Sequence, residues 1–394
     1  GGPGVSRAAR SCAGGRRQMS EPAAPPPDPT SSARAYARIR YRLLLIGLAL
    51  GAVFLAGFQW SGVSSALGRW WADVTPLASL QLLGYVTVFG AAYYVVTLPL
   101  HVYGSFILEH RFGLSRLTIR GWLIRELKQV TVSALIGVLA LEGLYAMLRH
   151  LPLHWPLWAT VGWVAVTVIL ARIFPTVLLP IFYQTSPLQH HELVTRLLEL
   201  CERAGLPALG VFRFNLGAET RKANAALAGL GRTRRVLLAD TLVEAFPTDE
   251  IEGVLAHELG HHRYHHISLF LVLTAVGSWI AFRLTDAAGH WWVEPLGLSG
   301  LADIAGLPAL LLWFSLLGLL SLPLQNGLSR FFERQADRYA LTMTRSPQAF
   351  AAALRRLAQL NLADPAPPRW VVWLLYEKSS YVLGAILPVT GGRQ

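Results

Sequence analysis

Six long apolar segments constrain this chain more than any other feature. They lie at roughly 43–60, 80–101, 130–148, 156–182, 268–284 and 304–324. A run of about 20 apolar residues, wound as an α-helix, matches the ~30 Å hydrocarbon core of a bilayer. The fifth segment is the shortest and ends at Arg283, so a buried core helix competes with a span there. Apolar residues make up 53% of the chain and charged residues only 15%, outside the range of ordinary soluble proteins. The expected fold is therefore a mainly α-helical integral membrane protein with about six transmembrane helices.

The loops set the orientation. Arg111, Arg116, Arg120, Arg125 and Lys128 lie between the second and third segments, and many more arginines lie between the fourth and fifth. The remaining loops hold little beyond Arg69 and Arg149, with Trp70, Trp71, Trp291 and Trp292 as interfacial anchors. The positive-inside rule then places both termini on the cytoplasmic side of the membrane. The net charge of +12 is scattered between apolar blocks and forms no groove-like cluster, so a bilayer is the expected partner and nucleic acid is not. Cys12 and Cys201 give neither a disulfide framework nor a cysteine-based metal site.

Residues 1–38 are rich in Pro, Ala, Gly, Ser and Arg and are expected to be a disordered tail, with Met19 a candidate start and no cleavable signal peptide evident. Residues 39–183 then form a membrane region of four spans, and 184–267 a more polar, cytoplasm-facing unit. A transmembrane hairpin with a further polar helix (268–345) and a C-terminal cytoplasmic helical segment (346–394) complete the expected layout. Within 184–267, Leu193 to Ala204 reads as an amphipathic helix, and Val211 to Asn215 and Val236 to Leu238 as strands of a small α+β unit.

That unit ends in His257-Glu258-Leu259-Gly260-His261, an H-E-x-x-H motif. On a helix, positions i and i+4 share a face, so both imidazoles can offer nitrogen to Zn²⁺ while Glu258 takes a proton from water. Thr248 or Asp249 is the expected N-cap, and Ile251, Val254, Leu255 and Leu259 supply the apolar stripe. Such a site needs a third ligand. Beyond the sixth segment, Glu333 and Asp337 stand at i, i+4. Glu333 completes a His₂Glu set, and Asp337 can accept the other ring N–H of a ligand histidine. His262, His265 and His266 are expected at the interface or as partners of the ligands rather than as extra ligands.

From about residue 80 onward the chain resembles the type I CAAX prenyl endopeptidases, integral-membrane zinc proteases of the gluzincin class. The resemblance rests on Leu98 to Tyr103 with Ile107 to Leu114, on Phe174-Pro175 with Leu179 to Phe182, on Arg221 to Ala225 followed by Arg235 to Leu242, and on Ser329 to Asp337. It implies helices around a hydrated chamber, one Zn²⁺ on His257, His261 and Glu333, and Glu258 as general base. It also implies Asn224-Ala225 as an edge strand along the bound peptide, although an ordinary turn at Asn224 fits the local sequence equally well. The substrates it implies are peptides or membrane proteins. The loop charges put the His257 motif on the cytoplasmic side, and the Ala/Arg/Leu-heavy composition points to a bacterial inner membrane. A membrane scaffold with a vestigial or structural zinc site is the alternative, and an intact Glu258 stands against it. One departure is clear: the family has a Ser-His-Pro near its C-terminus, and here Ser380 falls where that His would stand.

Overall fold

The computed structural model describes residues 1–2, 29–229, 234–344 and 346–374. Helix α1 (Pro29–Trp60) starts well before its apolar window. Ala33, Tyr36 and Ala37 bury on one face of its first turns while Arg34, Arg38, Arg40 and Arg42 face outward, so amphipathic packing extends the helix below the apolar stretch. Gly62, at φ 81° in the left-handed region, turns the chain into the short α2 (Val63–Val74). Helix α3 (Ala78–Val102) continues through one π-helical turn into α4 (Leu108–Arg111). Thr118 caps α5 (Ile119–His150) by accepting the Gly121 amide at 3.1 Å. Helix α6 (Trp155–Ile173) passes Pro175 in a second π-helical turn, where the missing proline donor favours the wider register, and ends in α7 (Leu179–Phe182).

Six stretches are long and apolar enough to cross a membrane: Thr30–Trp60, Ala78–Arg111, Ile119–His150, Trp155–Phe182, His266–Ala288 and Ile304–Thr344. The fifth is no core helix. None of its apolar window is buried within the protein, as suits a face turned to lipid.

Between the fourth and fifth spans stands a four-stranded mixed sheet of β1 (Thr185–Pro187), β2 (Val211–Phe214), β3 (Ala225–Ala228) and β4 (Arg235–Ala239), in the order β1-β2-β4-β3. Central β4 runs parallel to β2 and antiparallel to β3, and its Val236 to Ala239 are buried. Helix α8 (His191–Arg203) covers the sheet with Leu193, Leu197, Leu200 and Cys201, the expected amphipathic face. Then come α9 (Asp240–Ala245), α10 (Thr248–Arg263), α11 (His266–Ala288) and α12 (His290–Val293), followed by α13 (Leu307–Thr344), α14 (Pro347–Leu360) and α15 (Arg369–Leu374).

Helix α13 positions the site. It crosses as an apolar rod, continues past Pro323, and brings Glu333 and Asp337 beside α10 without a break. Ion pairs fasten the polar unit to the membrane helices: Lys222 to Glu109 at 2.9 Å, and Arg125 to Glu219 at 2.9 Å. Glu109 also accepts the Tyr36 hydroxyl.

Candidate active site

Helix α10 is set by burial as much as by motif. Ile251, Val254, Leu255, Ala256 and Leu259 enter the core beneath the sheet, which fixes the rotation of the helix and turns the two histidines toward α13. The N-cap is Pro247, not Thr248 or Asp249, and its carbonyl accepts the amides of Glu250 and Ile251 at 3.1 Å each. Thr248, Asp249 and Glu250 instead occupy the first turn, where the acids complement the helix dipole. Glu250 is buried and held by Arg356 of α14 through two hydrogen bonds of 2.9 and 3.2 Å.

A glycine governs how near α10 and α13 come. A Cβ on Gly260 would stand 2.8 Å from the Ala336 Cα and 3.2 Å from the Ala336 carbonyl oxygen. With only hydrogen there, the helices close up, and Glu333 straddles the two imidazoles. Its carboxylate oxygens lie 3.4 Å from His257 Nε2 and 3.6 Å from His261 Nε2, while the two nitrogens are 3.2 Å apart.

Those separations test whether an ion fits. A tetrahedral Zn²⁺ with bonds of ~2.0–2.2 Å has edges of about 3.3–3.6 Å between ligand atoms. The two nitrogen–oxygen distances, one to each Glu333 oxygen, fall in that range, and the nitrogen–nitrogen distance lies just below it. His257, His261 and Glu333 form the one group of three or more metal-ligating side chains among the described residues, with one ligand atom from each within 4.8 Å of the others.

The outward nitrogens of both rings are also committed. His257 Nδ1 lies 2.9 Å from Asp337 Oδ1. His266 Nε2 lies 2.9 Å from Gln335 Oε1, and His266 Nδ1 lies 3.0 Å from His261 Nδ1. The amide oxygen can only accept, so His266 donates from Nε2 and, when neutral, accepts at Nδ1. The proton between the two rings then belongs to His261 Nδ1, leaving His261 Nε2 bare on the side of Glu333. Asp337 fixes His257 in the same tautomer. Once His257 has lost its Nε2 proton, the lone pairs of both rings converge on the space beside Glu333.

Electrostatics reflect a buried carboxylate, Asp337, and a half-buried one, Glu333, beside two histidines. Burial disfavours the His257 imidazolium, but the hydrogen bonds it donates to Asp337 and Glu333 outweigh that and hold its pKa at about 10. Burial, with the charge of His257, pushes His261 down to about 4. A cation entering the triangle therefore displaces a proton from His257.

Neighbouring histidines play supporting parts. His262 Nε2 donates to the Leu227 carbonyl at 3.0 Å, tying α10 to β3, and burial lowers its pKa. His265 sits in the left-handed region at φ 56°, where the chain turns from α10 into α11. Composition singled out these residues, but their partners come from other elements and could not be read from local spacing.

Asn224 and Ala225 lie where the sheet ends. Ala225 opens the edge strand β3, and the exposed Asn224 precedes it, its carbonyl accepting from Ala239 at 2.9 Å. Antiparallel alternation then turns residues 225 and 227 toward the open edge. Asn361 holds the approach to the strand by bonding the amide and the carbonyl of Ala223 at 3.1 and 3.3 Å. Ser380 and its neighbours lie outside the described residues.

Six spanning helices, a small sheet and a half-buried His₂Glu set beside an adjacent glutamate define an integral-membrane metallopeptidase. Comparison with known proteins makes this specific. Residues 26–184 match the family model described as the CAAX prenyl protease N-terminal region with five membrane helices, and residues 187–380 match that of peptidase family M48. In this chain the first of these stretches holds four helices of spanning length and the shorter α2. The chain belongs to peptidase family M48, as a CAAX prenyl protease-like membrane metalloendopeptidase.

It is 28% identical over 346 residues to the uncharacterized metalloprotease YhfN of Bacillus subtilis, covering 87% of this chain and 81% of that protein. It is 32% identical over 212 residues to CAAX prenyl protease 1 of Saccharomyces cerevisiae, but there the match covers 53% of this chain and 46% of the yeast protein. The fold matches the crystal structure of S. mikatae Ste24p with a TM-score of 0.77 at 24% identity, over 91% of this chain and 88% of that one.

Proposed function

We propose that this protein is a zinc-dependent endopeptidase that cuts membrane-associated proteins or peptides from the cytoplasmic side of a bacterial inner membrane. The observation that carries it is the convergence of His257, His261 and Glu333, with the imidazole nitrogens 3.2 Å apart and 3.4 and 3.6 Å from the two Glu333 oxygens, a His₂Glu set that suits a tetrahedral ion with one open position. Bound Zn²⁺ supplies a Lewis acid that polarises the scissile carbonyl and makes water acidic enough to attack near neutral pH.

The remaining work falls to side chains of the chain itself. Glu258, half-buried and adjacent in sequence to His257, takes the proton of the attacking water and delivers it to the leaving amine nitrogen. Asp337 holds the Nδ1–H of His257, and the Gln335–His266 pair holds that of His261, so neither ligand ring can turn its protonated nitrogen inward. Along β3 the edge-facing N–H and C=O of Ala225 and the N–H of Leu227 are placed to pair with an extended peptide, with Asn224 at the entrance. Leu227 C=O is already taken by His262. Backbone pairing of this kind tolerates many side chains, in keeping with a broad choice of peptide.

The basic cluster Arg111, Arg116, Arg120, Arg125 and Lys128 lies at the same end of the spans as the metal triangle, which supports a cytoplasm-facing site. The deciding experiment compares wild type with Glu258→Gln for zinc content and cleavage of a membrane peptide. The variant should keep about one Zn²⁺ per chain and lose turnover, because a base is removed and no ligand is. Undiminished cleavage would sink the mechanism, and wild type that holds zinc without cleaving any peptide would favour a scaffold.

A further inference from the structure

The end of the helix bundle remote from the metal triangle holds a second polar site. Three connections meet there: residues 61–77 with α2, the turn after α5, and the segment 289–306. They are locked by the Ser64 hydroxyl donating to the Ala305 carbonyl, and by Gln59 Oε1 accepting the Ala309 amide at 3.2 Å. Between them lies a cavity of about 420 Å³, whose polar lining comprises Arg69, Arg149, Gln81, Ser65, Ser299 and Asp303.

The charges in this cavity are unbalanced. Arg69 and Arg149 are the loop arginines that the charge pattern leaves on the side otherwise poor in them, and the fold brings both into the lining of this cavity. Neither has a carboxylate within ion-pair distance among the described residues, whereas Arg283 at the same end is paired with Asp286 at 2.9 Å. The single acid in the lining is occupied. Asp303 Oδ2 accepts from the amide and hydroxyl of Ser299, at 3.0 Å each, and Oδ1 from the Ala305 amide at 3.0 Å. Gln81 uses its amide nitrogen on the Thr75 carbonyl at 2.7 Å. Arg149 lies over the Tyr145 ring at 5.7 Å, but neither guanidinium has an anionic partner among the described residues, and such a pair favours a tetrahedral oxyanion.

The depth of the cavity is marked as well. Trp70 neighbours Arg69 on α2 and is 55% exposed, and Trp291 on α12 is 68% exposed. Exposed tryptophans on both flanking elements are the signature of headgroup depth. The volume lies within the ~300–1,000 Å³ of small-molecule sites and exceeds what one inorganic phosphate fills.

We propose that Arg69 and Arg149 form a phosphate-binding site for an anionic glycerophospholipid headgroup of the leaflet opposite the metal site. The site serves as a lipid anchor for the connections that close that end of the bundle. Titrating the full-length protein in detergent with phosphatidylglycerol, read by native mass spectrometry, tests it. Phosphatidylcholine and inorganic phosphate are run as parallel arms. Wild type should bind phosphatidylglycerol in preference to phosphatidylcholine. Arg69→Gln and Arg149→Gln should each weaken that binding by about tenfold or more, with partial recovery in the lysine variants. Peptide cleavage, carried out at the other end of the bundle, reports that the variants are folded. If inorganic phosphate binds with the same arginine dependence and displaces the lipid, the phosphate chemistry holds but its source is soluble. Equal phosphatidylglycerol binding by wild type and by Arg69→Gln/Arg149→Gln overturns the proposal.

Discussion

Replacing Gly260 with alanine should damage the site without touching a ligand. The new Cβ would lie 2.8 Å from the Ala336 Cα, 3.2 Å from its carbonyl oxygen and 3.2 Å from the Tyr339 Cβ. Carbon atoms rest at about 3.5–4.0 Å, so α10 and α13 must part by roughly 0.7–1.2 Å at that level. The first two contacts are backbone atoms, and no rotamer change relieves them. His261 is the next residue on α10 and moves with it, while Glu333, one turn before Ala336, stays with α13. Metal sites tolerate errors of about 0.2 Å in ligand distance, so the displacement exceeds the tolerance several-fold.

Overpacking of this kind costs about 1–3 kcal/mol of stability, and a misplacement near 1 Å costs about 10²-fold in rate. Zinc retained after dialysis against a graded chelator should fall by at least tenfold in apparent affinity, and kcat on a membrane peptide by about a hundredfold. The protein should remain monodisperse. Ala336→Gly should not rescue it, because the obstacle is the Ala336 backbone and not its methyl group. Wild-type zinc affinity and kcat in Gly260→Ala would refute the idea that close helix approach builds the ligand triangle.

Two further predictions rest on single contacts. His266→Ala removes the acceptor that holds the proton on His261 Nδ1, and should weaken zinc affinity by about 10–100-fold in chelator competition; unchanged affinity would show that the tautomer needs no such partner. Arg356→Ala leaves the buried Glu250 carboxylate without its bidentate partner, and should cost about 1–2 kcal/mol, seen as a melting point lower by a few degrees. That loss is kept small because Arg356 is itself partly exposed and the N-terminal dipole of α10 still favours Glu250.

How much of this was legible in the sequence follows from how far apart the interacting residues lie. The spans and the H-E-x-x-H face are local patterns. A window of about 20 residues records the first and a single helical turn the second, so both can be read without knowing the fold. Pairing Glu333 with that turn is already non-local, and it was legible because a carboxylate at i and another at i+4 on a later helix fit a chemical requirement for a third ligand. The edge strand at Asn224-Ala225 came from family resemblance alone, since Ala225-Ala226-Leu227-Ala228 has weak strand propensity and is held by β4 and by His262 across the fold. The Gln335–His266–His261 chain left no local trace, because its three members come from α13, α11 and α10. Helix starts were misplaced for a related reason. Windows of apolarity end where arginines begin, yet Arg34, Arg38, Arg40 and Arg42 ride the outer face of a helix whose inner face buries Tyr36. What decides such positions is the surface they pack against, and Tyr36 meets Glu109 and Lys222 from two other parts of the chain. The same contacts that blurred the helix start in sequence therefore fasten the sheet carrying Asn224 to the first two membrane spans.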